Sequence, residues 1–216
     1  MKFQKYMAVG ILGLTMALGF SGCQSENQKN QDAYRKIGIN SMAEGDYDKA
    51  VKSFQKALDT SLGKIGAEEI DICYYKAAAQ FAKKDYDGAI ETYTSLIDYD
   101  KENANAYYLR GSVYLDTDKK DKAFKDYKNA VKYAGREYEI YEGIYENLTN
   151  KGETEEAKNY LKKALDIKPK DGADYAEQGH VYYLLEDYTQ AKSSLDRAID
   201  KDDKTALLYL AEVYNA

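Results

Sequence analysis

Asp46-Tyr47-Asp48-Lys49-Ala50, Asp85-Tyr86-Asp87-Gly88-Ala89 and Asp187-Tyr188-Thr189-Gln190-Ala191 are three copies of one phrase, Asp-Tyr-x-x-Ala, and their spacing decides the fold. Two weaker copies end at Ala123 and Ala157. The five alanines stand at 50, 89, 123, 157 and 191, so the intervals are 39, 34, 34 and 34 residues. An internal period of that length fits a pair of antiparallel helices joined by short turns.

Other positions keep the same phase. Seven residues after each key alanine stands Ala57, Leu96, Ala130, Ala164 or Ala198, and four after it stands Phe54, Tyr93, Tyr127, Leu161 or Leu195. Twelve before it stands Gly38, Ala77, Gly111, Tyr145 or Gly179, and sixteen before it stands Tyr34, Cys73, Tyr107, Tyr141 or Tyr175. Small residues let the two helices of a pair approach closely, and large ones fill the space between pairs. This lattice resembles the tetratricopeptide-repeat family over residues 31–205, with repeats at 31–64, 70–103, 104–137, 138–171 and 172–205. The resemblance implies an all-α fold, a right-handed α-solenoid of five helix-turn-helix repeats. A short capping helix is expected over 206–216, with Leu207, Leu210, Ala211 and Tyr214 on one face. Tyr145 replaces a small residue, so its repeat should pack differently. The extra residues in 60–69, which include Gly63 and Gly66, give either a longer loop or an extended first helix.

Composition agrees with a helical fold. Of 216 residues, 44% are hydrophobic and 31% charged, and Pro169 is the single proline. Eleven of the 23 tyrosines occupy repeat positions: Tyr34, Tyr47, Tyr86, Tyr93, Tyr107, Tyr114, Tyr127, Tyr141, Tyr175, Tyr182 and Tyr188. There a ring supplies apolar area for the core while its hydroxyl reaches the rim. The net charge of −6 is the wrong sign for displacing counterions from phosphates, so nucleic acid is not an expected partner. With only Cys23 and Cys73, no disulfide framework is expected.

The first 22 residues read as an address. Lys2 and Lys5 precede the apolar run Met7–Phe20, which ends in Ser21-Gly22-Cys23. That run is shorter than the ~20 residues a membrane-spanning helix needs. Phe20-Ser21-Gly22-Cys23 resembles the lipobox of bacterial lipoproteins, with Phe20 where that family usually has leucine. The resemblance implies cleavage after residue 22, a lipid on Cys23, and attachment to the extracytoplasmic face of a bacterial cell membrane. Residues 23–30 then form the lipidated cysteine and a flexible tether, since 25–31 reads SENQKNQ, polar and without helical period. The solenoid occupies 31–216.

In the family resembled, the first helix of each repeat lines a groove through its second, fifth, ninth and twelfth positions. Those are Asp32, Arg35, Ile39 and Met42; Asp71, Tyr74, Ala78 and Phe81; Asn105, Tyr108, Ser112 and Leu115; Glu139, Glu142, Glu146 and Thr149; and Ala173, Ala176, His180 and Tyr183. Ile39, Ala78 and Glu146 stand where a carboxylate clamp would need asparagine, so that mode is not expected. The candidate binding residues are Arg35, Asp71, Tyr74, Tyr108, Glu139, Glu142, Glu146, His180 and Tyr183. An acidic, tyrosine-lined groove favours a basic or aromatic protein segment. His180 is the sole histidine, so catalytic triads and metal triads lose their usual member, and no cofactor or metal is expected. It reads as a groove residue, and Cys73 as an inert core thiol. Asp116-Thr117-Asp118 lacks the later ligands of a calcium loop and reads as a helix-end turn.

The leading expectation is a non-catalytic, membrane-tethered adaptor that binds a protein or peptide segment at the bacterial cell envelope. The alternative is a structural subunit of an envelope assembly machine, of the outer-membrane-insertion or pilus-biogenesis type. An enzyme or small-ligand sensor is the remote third.

Overall fold

The computed structural model describes residues 25–61, 63 and 65–216. The expected export signal and Cys23 lie outside them. The described residues form eleven α-helices and no strand. They are α1 (Glu26–Ala43), α2 (Tyr47–Asp59), α3 (Ala67–Ala82), α4 (Tyr86–Tyr99), α5 (Ala104–Asp116), α6 (Lys120–Tyr133), α7 (Tyr138–Asn150), α8 (Thr154–Ala164), α9 (Gly172–Leu184), α10 (Tyr188–Ile199) and α11 (Thr205–Asn215). Each expected repeat is one consecutive pair, and α11 follows alone. The chain divides into two compact units, one ending at Ala130 and one beginning at Val131.

The Asp-Tyr-x-x-Ala phrase is a helix start. Asp46, Asp85 and Asp187 are N-caps whose carboxylates accept from the backbone N–H of Lys49 (3.0 Å), Gly88 (3.1 Å) and Gln190 (3.1 Å). The residue before each cap is left-handed: Gly45, Lys84 and Glu186 have φ of 78°, 67° and 66°. Asp118 and Gly152 hold the same place in the two weaker copies. That geometry lets the next N–H reach back five residues to close the preceding helix. The bonds are Asp46 to Ser41, Asp85 to Gln80, Lys119 to Tyr114, Glu153 to Leu148 and Asp187 to Tyr182, all 2.8–2.9 Å. Asp118 thus sits in a helix-end turn.

The helix pairs close over the small–large pattern. Ala50, Ala89, Ala123, Ala157 and Ala191 are all fully buried, as are Phe54, Tyr127, Leu161 and Leu195. Burying a side chain of that size contributes about 1.5–3 kcal/mol. The glycines of the first helices lie against these large residues. A Cβ on Gly38 would fall 2.5 Å from Phe54 Cε1, one on Gly111 2.9 Å from Tyr127 Cδ1, and one on Gly179 2.6 Å from Leu195 Cγ. Tyr145 is half-buried, and its hydroxyl donates weakly to the Leu184 carbonyl at 3.5 Å.

A charged tie crosses the first unit. Arg110 of α5 grips Asp126 of α6 with two bonds of 2.7 and 2.9 Å, and its third nitrogen donates to Thr94 of α4 at 2.9 Å. Asp126 is 3% exposed, so this pair is largely removed from water. Burial works against the guanidinium charge, but Asp126 outweighs it and raises the Arg110 pKa.

Several expectations need correction. Residues 26–30, read as tether, belong to α1: Ser25 caps the helix by accepting from Gln28 N–H at 3.3 Å. Gln31 anchors this polar turn by donating to Glu69 at 2.7 Å, so it needs no apolar face of its own. The extra residues in 60–69 both lengthen α3, which has 16 residues against 13 in α5, and leave a loop before it. On α11 the packed face is different from the expected one. Ala206 is buried and Tyr209, Leu210 and Val213 pack against Ala176, Leu195 and Ala198, whereas Leu207 and Tyr214 are exposed. Among the repeat tyrosines, Tyr93, Tyr127 and Tyr141 are buried, but Tyr188 is 41% exposed.

Candidate functional site

In the first unit most of the expected groove residues are buried or engaged with neighbouring side chains. Arg35 on α1 pairs with Asp71 on α3, its Nε donating at 2.9 Å, and its guanidinium lies 5.3 Å from the Tyr75 ring centroid. Tyr74 donates its hydroxyl to Asn103 at 2.7 Å. Tyr108 is 8% exposed and packs on Tyr127 at 6.3 Å, so it is a core ring and offers no open platform. Ala78, Ser112 and Leu115, also expected in the groove, are buried. The accessible face of these helices is narrower than the four-position pattern implies, because neighbouring helices cover part of it. Beside Arg35, Glu68 shares a proton-bridged contact with Asp32. Burial, that contact and the Asp32 and Glu69 charges push the Glu68 pKa from its ordinary 4.5 to about 7.

Cys73 is half-buried, and burial raises its thiol pKa, which keeps it out of the reactive thiolate form. That agrees with an inert packing role.

The second unit brings the remaining candidates together. Glu139, Glu142 and Glu146 lie along α7, and His180 and Tyr183 on α9. His180 Nδ1 is 2.9 Å from a Glu142 carboxylate oxygen, and its Nε2 is 4.0 Å from Glu212 on α11. The imidazole stacks on Tyr209 of α11, with ring centroids 4.3 Å apart and 8° between planes, and on Tyr183 at 6.1 Å. Glu177, one turn before His180, completes the group and accepts a long bond of 3.5 Å from the Tyr209 hydroxyl.

Charge is concentrated here. Burial, then the charges of Glu142 and Glu139, push the Glu177 pKa up to about 7, with His180 acting in the opposite sense. Burial disfavours the imidazolium, but the Glu142 bond and the charges of Glu142, Glu177 and Glu212 outweigh it and raise the His180 pKa. The arrangement is a half-buried, negatively biased recess with a flat aromatic stack for one wall.

Sequence reasoning missed three of its members. Glu177 stands three residues before His180, the helical spacing that puts two side chains on one face. Tyr209 lies one further period of 34 beyond Tyr175. Glu212 follows Tyr209 by three residues on the same helix. The signal for Glu177 was its spacing from His180, and that for Tyr209 and Glu212 appears once the lattice is carried past residue 205.

Among the described residues no helix is long and apolar enough to cross a membrane. The family model for the tetratricopeptide repeat matches residues 32–61, 104–136, 146–171 and 175–204, and a related TPR repeat model matches 77–118. Anaphase-promoting complex subunit 3 of Schizosaccharomyces pombe is 21% identical over 217 residues, covering 87% of this chain and 33% of that protein. Tetratricopeptide repeat protein 13 of Homo sapiens is 27% identical over 154 residues, covering 66% of this chain and 17% of that protein. The chain therefore spans a third or less of the length of these curated relatives. The solved structure of PilF of Pseudomonas aeruginosa superposes with a TM-score of 0.51 at 18% identity, covering 88% of this chain and 87% of that one, a likeness of fold. With more than half its length matched, and with a small–large lattice closing its helix pairs at all but the Tyr145 position, the chain belongs to the tetratricopeptide-repeat family of protein-interaction scaffolds.

Proposed function

We propose that the chain is an exported, lipid-anchored adaptor of the bacterial cell envelope that holds a basic or aromatic segment of a partner protein against the acidic face of its second unit. The observation that carries this reading is the gathering of Glu139, Glu142, Glu177 and Glu212 around one aromatic stack. Glu146 extends the same face of α7 by one turn. Partly desolvated carboxylates attract a lysine or arginine more strongly than solvated ones do, and Tyr183 and Tyr209 offer ring faces for its cation. The action is binding and positioning, with no bond made or broken. The anchor rests on Lys2 and Lys5, the apolar run after them, and Cys23.

The test of the docking face is fluorescence anisotropy with lysine- and arginine-rich peptides against acidic ones, across a salt series. Wild type should prefer the basic set, with affinity falling as salt rises, and Glu139→Lys/Glu146→Lys should abolish the preference. Equal affinity for both sets, or no effect of the double substitution, overturns the reading. For the anchor, labelled fatty acid should enter the wild-type chain in a bacterial host and fail to enter Cys23→Ser. A second reading, a subunit of a larger envelope assembly, is favoured by Leu207, Leu208 and Tyr214, which stand 57%, 67% and 68% exposed on α11. It predicts stable co-purification with membrane proteins that survives Glu139→Lys/Glu146→Lys.

A further inference from the structure

Glu177 and His180 form a Glu-x-x-His pair on α9, and the i, i+3 spacing turns both side chains to one side of the helix. Glu142 reaches the same point from α7. One ligand atom from each of the three residues lies within 4.8 Å of the others. From this convergence we infer that Glu142, Glu177 and His180 form a binding site for a divalent transition metal, with Zn2+ the ion it fits best.

Zinc bonds to imidazole nitrogen and carboxylate oxygen run to about 2.0–2.2 Å, which in a tetrahedral site places ligand atoms roughly 3.4 Å apart. His180 Nδ1 and the Glu142 oxygen, now 2.9 Å apart, need to part slightly, and the widest pair, no more than 4.8 Å, needs to close by up to about 1.4 Å, within the reach of two glutamate side chains. The donor set selects the ion. One imidazole with two carboxylates suits zinc and its neighbours, whereas calcium and magnesium require six or more oxygen ligands or several retained waters.

Groups around the cluster serve as outer supports. Metal-bound histidines give their second ring nitrogen to a carboxylate or carbonyl, which fixes the tautomer and the ring plane. Here Glu212 lies 4.0 Å from His180 Nε2, and Tyr209 clamps the ring face to face at 4.3 Å. Tyr209 also points its hydroxyl at Glu177. Nδ1, which already faces Glu142 at 2.9 Å, is the ligating atom, and a proton held between the two passes to solvent as the ion enters. The ion also relieves the repulsion between two carboxylates held together in a half-buried recess. Three protein ligands leave one tetrahedral position for water or for a donor atom of a docked segment.

The site joins α7 to α9 directly and reaches α11 through Tyr209 and Glu212, so metal binding should stiffen the second unit. The site shares Glu142 and Glu177 with the proposed docking face, but the two readings fail separately. Metal binding is measured on the chain alone, and Glu139 and Glu146, whose substitution tests docking, are not ligands.

The experiment is calorimetric titration of ZnCl2 into the purified full chain, with thermal unfolding measured with and without the ion. Expected are one zinc per chain through this site and a higher unfolding temperature in its presence. His180→Ala and the near-isosteric Glu177→Gln should each weaken that binding at least tenfold and remove the thermal shift. Glu155→Gln, an exposed carboxylate on α8, should change neither. Cobalt substituted at the site should give visible absorption that His180→Ala abolishes. Failure of wild type to bind zinc, or equal affinity in wild type and Glu177→Gln, overturns the inference.

Discussion

A methyl group added at Gly179 would sit 2.6 Å from Leu195 Cγ, 2.7 Å from Leu195 Cδ2 and 3.2 Å from the Ala191 carbonyl oxygen. Carbon atoms in comfortable contact stand about 3.5–4.0 Å apart. Leu195 is fully buried and cannot swing into solvent, and Ala191 contributes backbone that cannot yield alone. Helices α9 and α10 must therefore separate by about an ångström. Overpacking of this kind costs roughly 1–3 kcal/mol. Alanine returns about 0.5–1 kcal/mol over glycine in a helix interior. The net expectation for Gly179→Ala is a loss of roughly 0–2.5 kcal/mol, centred on about 1 kcal/mol, which is a fall of about 2–4 °C in unfolding temperature for a chain of this size. Urea denaturation followed by circular dichroism measures it. Leu195→Ala alone should cost about 2–5 kcal/mol. In the double variant the new methyl enters the space the leucine leaves, so the combined loss should fall short of the sum by more than ~0.5 kcal/mol. A raised stability in Gly179→Ala, or strict additivity with Leu195→Ala, would refute the close-approach argument for the three repeats that carry glycine here.

Asp126→Ala leaves the Arg110 guanidinium unpaired in a site where only 16% of its side chain meets water, and should cost about 3–5 kcal/mol by denaturant titration. A loss under ~1 kcal/mol would mean that water replaces the carboxylate. Lys84→Gly relieves a left-handed residue at φ 67° and, after the glycine entropy cost, should stabilise by about 0.5–1 kcal/mol, read as a shift in the urea midpoint. A shift to lower urea counts against the strain argument. Glu68 has a folded-state pKa of about 7 against an ordinary 4.5, so the folded chain holds the proton more tightly than the unfolded one. Its contribution to stability is fully present below about pH 4.5 and is lost as pH rises through 7. Glu68→Gln should flatten the fall in unfolding temperature between pH 5 and pH 8, and identical pH slopes in the two chains would contradict the assignment.

The repeat lattice was legible because it is written in local terms. Asp46, Asp85 and Asp187 announce helix starts, and a glycine or alanine twelve residues before four of the five key alanines marks where two helices touch. Such signals survive without knowledge of the neighbours. What could not be read depended on those neighbours. Tyr108 occupies a groove position by count, yet Tyr127 and the surrounding helices bury it. Arg110 and Asp126 are sixteen residues apart and each looks like an ordinary surface charge until α5 and α6 meet. The polar run 25–31 carries no amphipathic period, and only the Gln31–Glu69 bond shows why it is helical. At the acidic recess, single positions such as Glu142 and His180 were found, but their convergence required the spacing of α7, α9 and α11. The apolar side of α11 was misassigned by one step because its count began at Leu207; carrying the period on from Tyr175 places Tyr209 inward.

Every turn between the two helices of a repeat is closed by the chain's own backbone, through a left-handed residue and a bond back across the preceding helix end. None of these five closures borrows a group from another repeat. A repeat thus carries its own punctuation, while what binds it to the next, such as Arg35 to Asp71 and Arg110 to Thr94, lies on the helix faces. Selection can lengthen such a chain by whole modules while reserving substitutions for the faces that meet a partner. The variety among Lys84, Asp118 and Glu186 at a place where glycine would serve best shows that this punctuation tolerates spelling, provided the grammar of the turn is kept.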